Sequence, residues 1–522
     1  MKRILGRALI VIPAVFLQLI WYFLVLAVLD HLFQGHLGEV LSALFSVLAI
    51  VFVTSLVAKR DEGSYKMLWV MLIIATPILG AMLYFFWGNK GTGRKLKLRL
   101  QRSAEALPEV LREESQKNLA AIKAGNLRLG QSLQHASSST GFPVLKNETA
   151  RYYPLGEDMF RDMCEDLKKA EKYIYIEYFI IEKGVFWNTL TDILAERAAA
   201  GVDVRVIYDD LGSIGTYSMK DALGLAARKI KCVPFNPVVF LRPQLNNRDH
   251  RKIMVIDGEV AYSGGVNLAD EYINEVEKCG HWKDIGFRLT GPAVRSYTYM
   301  FAEFWNAFSG EKIDFGALES AVMAAEEAAV PAETSEASAG EAGYVFPYYD
   351  SPVREEHTSN ELFLEVLSLA TDYVWFYTPY LILGDSLFDA LIRAARRGVD
   401  VRIVMPGVPD KKIVYRLSRS YYTDLLKAGV RIFEYTPGFV HAKAFLADDV
   451  ICGIGTVNLD YRSLFLHFEC SSVFYEAAIL KDLKADHLAT QEKSRERFAE
   501  DVKKGPFSRF ADNVLRIIAP LM

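Results

Sequence analysis

Apolar residues follow two different patterns along this chain. In the first ninety residues they form three nearly continuous runs, at 8–29, 38–58 and 66–87, and each run is long enough to cross a bilayer as a helix. After residue 149, short runs typical of buried strands alternate with amphipathic helical stretches. The first pattern predicts a membrane-anchoring helical region over 1–90. The second predicts an α/β fold with helices packed on a mixed or parallel sheet.

Charges that flank the apolar runs bear on membrane topology. Basic residues at the N-terminus and a basic cluster after residue 90 both favour the cytoplasmic side, but three crossings would separate them. We interpret the third run, which contains Pro77 and Gly80, as re-entrant. The prediction is a multi-pass cell-membrane protein whose catalytic region faces the cytoplasm. The alternative for 8–29 is a cleaved signal peptide, but the run lacks a convincing small-residue cleavage site.

The α/β region contains one pattern twice. The stretch AEKYIYIEYFI from Ala170 matches ATDYVWFYTPY from Ala370, and LAERAAAGVDVRVIYD from Leu194 matches LIRAARRGVDVRIVMP from Leu391. Each copy predicts a strand, a helix and a second strand. The stretch between the copies is rich in Ala, Glu and Ser and has few large apolar residues, which predicts a flexible linker. The predicted domains are the anchor 1–90, a basic juxtamembrane linker 91–148, a first half 149–312, the flexible linker 313–343 and a second half 344–522.

Composition narrows the function classes. A formal net charge of -4 argues against a general nucleic-acid binder. The five cysteines are dispersed without a C-x-x-C pair, which favours reduced thiols over a disulfide framework or a zinc site. We therefore predict neither a metal nor a cofactor, and no nucleic-acid partner.

One motif occurs in both halves at the same spacing. HRKIMVIDGEVAYSGGVN begins at His250, and HAKAFLADDVICGIGTVN begins at His441. Two copies in register, one in each half of a repeat, are a strong signal, whereas one copy alone would be weak. The candidate catalytic and phosphate-binding residues of the two copies are His250, Lys252, Asp257 and Asn267, and His441, Lys443, Asp448 and Asn458.

Two imidazoles that face one another can divide a two-step phosphoryl transfer between them. One attacks phosphorus, and the other protonates the leaving alcohol and later takes a proton from the incoming nucleophile. The lysines would add positive charge beside the transferring phosphate, and the asparagines would add hydrogen-bond donors. Asp257 and Asp448 each lie at a turn, so within the candidate catalytic set we expect these two to cap the backbone.

The doubled motif resembles the phospholipase D superfamily, and the stretches HWKDIGFRLTGPAV, YTPYLI and GTVNLDYRS resemble its bacterial cardiolipin synthases. This resemblance implies a metal-independent transphosphatidylation, in which two phosphatidylglycerol molecules give cardiolipin and glycerol through a phosphohistidine. It also implies that His250 is the nucleophile and His441 the general acid/base. Carried over by position, Asp284 and Glu469 would orient the two imidazoles.

Three alternatives stay open at this point. Water could resolve the phosphohistidine, which would make the protein a membrane-bound phospholipase D. Phosphatidylethanolamine or another alcohol could replace one phosphatidylglycerol. A non-enzymatic membrane scaffold is disfavoured because every motif position is intact. The expected partners are phosphatidylglycerol, cardiolipin and the membrane, and the sequence does not predict an oligomeric state.

Overall fold

The protein is described here by a computed structural model, which covers residues 27–28, 31, 36–59, 61–76, 80–81, 83–84, 88, 94–104, 107–146, 149–237, 246–318 and 343–521. The chain divides into two compact units, 1–89 and 90–522. Each unit is considered by itself.

In the described part of the first unit there are two long apolar helices, α1 (His36–Val57) and α2 (Gly63–Ala75). Trp69 of α2 packs against Tyr84 with ring centroids 5.4 Å apart. Within these described stretches, no helix combines the length and the hydropathy needed to cross a bilayer. The predicted run 8–29 and Pro77 of the third run fall almost wholly outside the described residues, so the membrane region stays a prediction.

The second unit alternates helices and strands. Its helices are α3 (Arg94–Ser103), α4 (Glu109–Gly125), α5 (Leu127–Thr140), α6 (Gly156–Lys169), α7 (Val185–Ala199), α8 (Met219–Ala226), α9 (Val294–Phe308), α10 (Thr358–Leu369), α11 (Asp385–Arg396), α12 (Lys412–Ser418), α13 (Tyr422–Ala428), α14 (Tyr461–Phe465), α15 (Ile479–Glu492) and α16 (Pro506–Ile518). Its strands are β1 (Leu145–Lys146), β2 (Ala150–Tyr153), β3 (Tyr173–Tyr178), β4 (Asp203–Asp209), β5 (Lys231–Phe235), β6 (Arg248–Asp249), β7 (Lys252–Ile256), β8 (Val260–Gly264), β9 (His281–Lys283), β10 (Gly286–Thr290), β11 (Tyr344–Asp350), β12 (Tyr373–Tyr377), β13 (Leu381–Ile382), β14 (Asp400–Pro406), β15 (Arg431–Tyr435), β16 (Gly438–Val440), β17 (Ala444–Ala447), β18 (Ile451–Gly455), β19 (Leu459–Asp460), β20 (His467–Tyr475) and β21 (Ser494–Arg497).

The first half is built on a seven-stranded sheet in the order β2-β10-β8-β7-β3-β4-β5. Strands β3, β4 and β5 are parallel, and the others pair antiparallel. Every residue of β3 is buried, because helices cover both faces of the sheet. Leu167 of α6 and Leu190 of α7 join the core on one face. On the other face, Phe301 of α9 stacks on Tyr175 at 4.7 Å.

The second half repeats this arrangement. Its sheet follows the order β11-β20-β18-β17-β12-β14-β15, with β1 and β21 added at the two edges. Strands β12, β14 and β15 are parallel, like β3, β4 and β5. The predicted α/β fold with two fused repeats is therefore confirmed.

The interval predicted as a juxtamembrane linker, 91–148, contains folded structure. Helices α4 and α5 pack against each other, and α5 packs on α10 of the second half. Leu111 and Leu133 are buried, and β1 adds an edge strand to β11. The prediction of a linker rested on the basic residues at the start of the interval and did not include these apolar positions. The Ala/Glu/Ser-rich stretch lies mostly at 319–342, outside the described residues.

Two short parallel strand pairs join the halves. Strand β6 of the first half pairs with β20 of the second, and β16 of the second half pairs with β9 of the first. Beyond these pairs, the His250 N–H donates to the Phe468 carbonyl at 2.9 Å and the His441 N–H donates to the Lys283 carbonyl at 2.7 Å. Each half therefore places its histidine beside a strand of the other half.

Candidate active site

The strand pairs bring each histidine to a carboxylate of the opposite half. His250 Nδ1 lies 2.8 Å from Glu469 Oε2, and His441 Nδ1 lies 2.6 Å from Asp284 Oδ2. Both acids are fully buried and both imidazoles are nearly so. An Nδ1–H that donates to a carboxylate leaves Nε2 with its lone pair, which is the tautomer that a nucleophile or base requires.

The two carboxylates are held by different groups. Glu469 accepts hydrogen bonds from the Thr456 hydroxyl and, at 2.6 Å, from the Ser463 hydroxyl. Asp284 accepts one from the Ile285 backbone N–H at 2.9 Å. Thr456 corresponds to Gly265 in the first half, where a Cβ would collide with the Asp284 carboxylate. Gly265 belongs to the sequence motif, but its contact with Asp284 could not be predicted from the sequence.

Lys252 and Lys443 are buried beside the imidazoles. Lys252 Nζ donates to the His250 carbonyl at 2.6 Å, and Lys443 Nζ donates to the His441 carbonyl. Lys443 Nζ also lies 2.7 Å from His441 Nδ1, but that nitrogen has a single bonding site, which Asp284 occupies. Lys443 therefore acts on the ring through its charge.

Burial and these ammonium groups shift the ionisation of the imidazoles. Burial, reinforced by Lys443 and opposed by Asp284, lowers the pKa of His441 to about 4. Burial and Lys252 hold the pKa of His250 well below its usual value. Both rings are neutral at pH 7, with a free electron pair for attack or proton transfer.

The remaining charged groups also respond to burial. Burial lowers the pKa of Lys252 to about 8 and the pKa of Lys443 to about 7. It raises the pKa of Glu469 well above the usual range, although Lys252 opposes the shift. Burial would raise the pKa of Asp284 too, but His441 and Lys443 outweigh it and the pKa is lowered. The pKa values of the two carboxyl groups are therefore shifted in opposite directions.

The two asparagines have different surroundings. The Asn267 amide donates to the Tyr272 hydroxyl at 2.8 Å and accepts from the Ile180 N–H at 3.1 Å. The Asn458 side chain forms a hydrogen bond with Asp460, and its buried Oδ1 has no hydrogen-bond partner among the described groups. Both ends of the Asn267 amide are thus bound to protein groups, whereas Asn458 has one free acceptor.

Asp257 and Asp448 are not part of the cluster around the imidazoles. Asp257 lies one strand length from Lys252, about 16 Å at ~3.3 Å per residue. Its carboxylate accepts three backbone N–H groups, from 171, 172 and 173, at 2.7, 2.7 and 2.8 Å. Asp448 caps the N–H groups of 371, 372 and 373 in the same way, at 2.8, 3.0 and 2.7 Å. The structure therefore removes both aspartates from the candidate catalytic set and places them in turns, at φ 56° and 50°.

Several residues that support the site were missed from the sequence. His467 is half-buried next to His250, with ring centroids 6.0 Å apart. Arg248, in β6, forms a fully buried ion pair with Asp209 at 2.8 Å, which fixes the strand that precedes His250. The Thr456 and Ser463 hydroxyls bind Glu469 as described above. His467, Arg248 and Ser463 lie outside the two copies of the motif. Thr456 lies within one copy, but its contact with Glu469 is visible only in the fold.

The fold and the cluster of paired histidines define the chain as a phospholipase D-like enzyme. The family model described as "Cardiolipin synthase, PLD-like domain" matches twice, at 163–283 and 363–488, and the model "Phospholipase_D-nuclease N-terminal" matches 44–89. The chain is 32% identical over 518 residues to a cardiolipin synthase of Geobacillus sp. (strain WCH70), covering 95% of this chain and 98% of the relative. It belongs to the cardiolipin synthase family and is a phosphatidyltransferase of the phospholipase D type.

Two further comparisons give a relative in sequence and a neighbour in fold. An uncharacterized protein of Streptococcus mutans is 40% identical over 456 residues, which cover 87% of this chain and 96% of the relative. The crystal structure of the phosphatidylserine synthase of Haemophilus influenzae Rd KW20 has a TM-score of 0.58 at 13% identity, over 75% of this chain and 100% of that chain. The second match is a likeness of fold alone.

Proposed function

We propose that the protein is a cardiolipin synthase that transfers a phosphatidyl group from one phosphatidylglycerol to another through a phosphohistidine, without a metal ion. The observation that carries the proposal is the pair of buried, neutral imidazoles, each with a carboxylate of the opposite half at Nδ1. Family membership supports the lipid substrates.

In the first step, His250 Nε2 attacks the phosphorus of phosphatidylglycerol and the bond to the headgroup glycerol breaks. His441 gives its proton to the departing glycerol oxygen. The anionic phosphate of the bound lipid favours the protonated form of His441, which burial alone disfavours. In the second step, the hydroxyl of another phosphatidylglycerol attacks the phosphohistidine, His441 takes its proton, and cardiolipin leaves.

The surrounding groups have supporting roles in this scheme. Lys252 and Lys443 stabilise the charge that develops on the phosphate oxygens, and Asn458 adds an amide close to the same place. Asp284 and Glu469 orient the imidazoles and stabilise their protonated forms. Asn267 positions the loop through Tyr272.

We place the enzyme at the cell membrane, as a multi-pass protein with its catalytic unit on the cytoplasmic side. The apolar runs of the first ninety residues and the match at 44–89 support this proposal. Anchoring concentrates the lipid acceptor near the site, which favours transfer over hydrolysis.

The decisive experiment incubates the purified full-length protein with phosphatidylglycerol in detergent and separates the products. Cardiolipin and glycerol in equal amounts are expected, and chelator treatment should leave the rate unchanged. Phosphatidic acid as the main product would replace the synthase with a phospholipase D. A rate that depends on added divalent cation would overturn the metal-free mechanism. His250→Ala serves as the inactive control.

The second candidate differs in the lipid that takes part. Among the residues that the structure describes around the imidazoles, none distinguishes a glycerol headgroup from another alcohol, so phosphatidylethanolamine could serve as donor or acceptor. Mixtures of phosphatidylglycerol with isotopically labelled phosphatidylethanolamine distinguish the two. Labelled cardiolipin, or released ethanolamine, would assign phosphatidylethanolamine a role.

A further inference from the structure

The last helix of the chain presents its apolar side chains to solvent. In α16 (Pro506–Ile518), Phe507 is 85% exposed and Phe510 is 66% exposed. Val514, Ile517 and Ile518 are exposed as well. At about 100° per residue these five side chains fall within an arc of roughly 100°. We call these five residues the terminal stripe.

Polar contacts hold the opposite face of α16 against the protein. Asp512 is buried and accepts from Arg416 at 2.9 Å and from Lys504 at 2.5 Å. Arg516 donates to Asp424 at 3.3 Å and to the Ser420 carbonyl. An ordinary surface helix buries its apolar side and exposes its polar side. In α16 the ion pairs fix the reverse orientation.

Exposed cations lie near the terminal stripe, and the turn that follows α16 contacts the helix that binds Glu469. Lys503 and Arg509 are exposed at and beside α16. Helix α12, which packs on α16, exposes Lys412 and Ile413. The turn Ala519–Leu521 packs on α14, the helix whose Ser463 donates to Glu469.

An anionic lipid surface fits this combination. Aromatic and branched aliphatic side chains enter the boundary between headgroups and acyl chains, while neighbouring lysines and arginines bind anionic headgroups. A second copy of the chain, packed stripe to stripe about a twofold axis, would bring the same cations together and gain no opposite charge. The observations therefore favour a membrane over a dimer.

We propose that α16 is an interfacial membrane-docking helix, which inserts the terminal stripe into an anionic bilayer and holds the catalytic unit against the lipid surface. The docking is separate from the apolar region of the first ninety residues. The consequence for catalysis, which is access of the His250–Glu469 pair to lipid headgroups, rests on the proposed function. The docking itself does not.

The test uses the full-length protein with Cys164, Cys232 and Cys279 replaced by alanine, since these three thiols are partly exposed. Phe510→Cys carries an environment-sensitive fluorophore, and Glu171→Cys, an exposed position beside the Asp257 cap, is the matched control. Both are reconstituted in vesicles of phosphatidylglycerol and phosphatidylcholine (1:3) with brominated acyl chains. We expect at least ~3-fold stronger quenching at 510 than at 171. Equal quenching would overturn the proposal.

A second variant separates insertion from mere proximity. With the label moved to Val514→Cys, the double change Phe507→Ser/Phe510→Ser should lower the quenching about threefold, because the exposed rings contribute most of the inserted area. Unchanged quenching would contradict the role of the stripe. Concentration-dependent energy transfer in detergent, without quenching by brominated lipid, would replace the membrane with a second copy of the chain.

Lipid turnover is measured on the same samples. Strong quenching at 510 in a preparation that makes no cardiolipin would refute the proposed function and support docking. Cardiolipin synthesis with equal quenching at 510 and 171 would support the function and refute docking. The two proposals therefore fail in different ways.

Discussion

The two half-sites hold the same imidazole with different carboxylates. His441 is paired with Asp284, whose pKa is lowered by the neighbouring positive groups despite burial. His250 is paired with Glu469, whose pKa burial raises. A carboxyl group with a lowered pKa stabilises an imidazolium over a wider pH range than one with a raised pKa does. The duplicated motif has therefore acquired two unequal sites, and the proposed proton carrier, His441, is paired with the acid whose pKa is lowered.

The residue that lies beside each acid also differs between the two sites. Asp284 lies against Gly265, where any side chain would collide with the carboxylate. Glu469 is longer, and Thr456 at the equivalent position fills the space and donates its hydroxyl. At one site, the absence of a side chain at Gly265 makes room for the Asp284 carboxylate. At the other site, the Thr456 hydroxyl binds the Glu469 carboxylate.

Removal of either imidazole has the largest expected effect and tests whether His250 and His441 have different roles. His250→Ala and His441→Ala should each lower turnover at least ~10⁴-fold, because the step performed by each ring has no substitute. Quenching in a denaturing detergent at neutral to mildly alkaline pH, with phosphorus-labelled phosphatidylglycerol as substrate, should trap label on the His441→Ala protein and none on His250→Ala. Label on His250→Ala alone would exchange the two roles.

Neutralisation of the acids should have unequal effects. Asp284→Asn removes an ionised partner and should lower kcat about 10³-fold, since a misplaced tautomer is costly. Glu469→Gln replaces a carboxyl whose pKa burial raises, so the loss should be smaller, about tenfold. Steady-state kinetics on mixed micelles measure both. Equal losses would contradict the inequality of the two sites.

The space beside each acid is tested by one substitution in each half. Gly265→Ala places a methyl group against Asp284 and should lower kcat about 10²-fold by turning the carboxylate away from His441. Thr456→Ser keeps the hydroxyl and should change kcat by less than about threefold. Circular dichroism and thermal unfolding serve as folding controls. Full activity of Gly265→Ala would show that Asp284 does not need the space that the glycine leaves.

The pH profile of kcat/KM reports the charged groups of the free enzyme. The pKa of His250 lies well below 6.5, so the nucleophile stays neutral and the acid limb falls below that pH. On the alkaline side, Lys443 and then Lys252 lose their charge as the pH rises past their pKa values of about 7 and about 8. The loss of charge on the two lysines should therefore lower kcat/KM at least about tenfold between pH 7 and 9, and the proton that His441 must gain before it acts as an acid adds to the same decline.

Lys443→Arg provides the control for that alkaline limb. Arginine keeps its charge at every pH in this range, so the decline should move to higher pH even if the maximum rate falls. An alkaline limb that stays in place in Lys443→Arg would show that another group causes the decline.

The two capping aspartates should affect stability and leave the chemistry intact. Asp257→Asn and Asp448→Asn each lose charge-assisted bonds to backbone N–H groups and should cost about 1–3 kcal/mol in the free energy of unfolding. The folded protein should keep kcat within about twofold. A large loss of kcat without a change in thermal unfolding would return these aspartates to the active site.

The repeated motif predicted the histidines and lysines because their spacing is written twice in the sequence. The acids Asp284 and Glu469 could be assigned by position, but their exchange between the halves could not. The strand pairs that cause it, β6 with β20 and β16 with β9, have only two or three residues in register. Segments so short carry no periodicity for a sequence to show.

The interval 91–148 shows the opposite difficulty. Helices α4 and α5 are amphipathic, yet their apolar positions are diluted by many charged and polar residues. The apolar side is buried only because α10 of the second half lies beside α5. A pattern that depends on a partner far along the chain is weak evidence when the interval is considered alone.

The crossed pairing of histidines and acids has a consequence for biosynthesis. His250 obtains its carboxylate from a residue 219 positions later in the chain, so the first half has no complete site while the ribosome is still translating the second. Under the proposed mechanism, a partly made chain therefore has no oriented nucleophile. We expect the enzyme to acquire its reactivity only when both halves have been synthesised and have folded together.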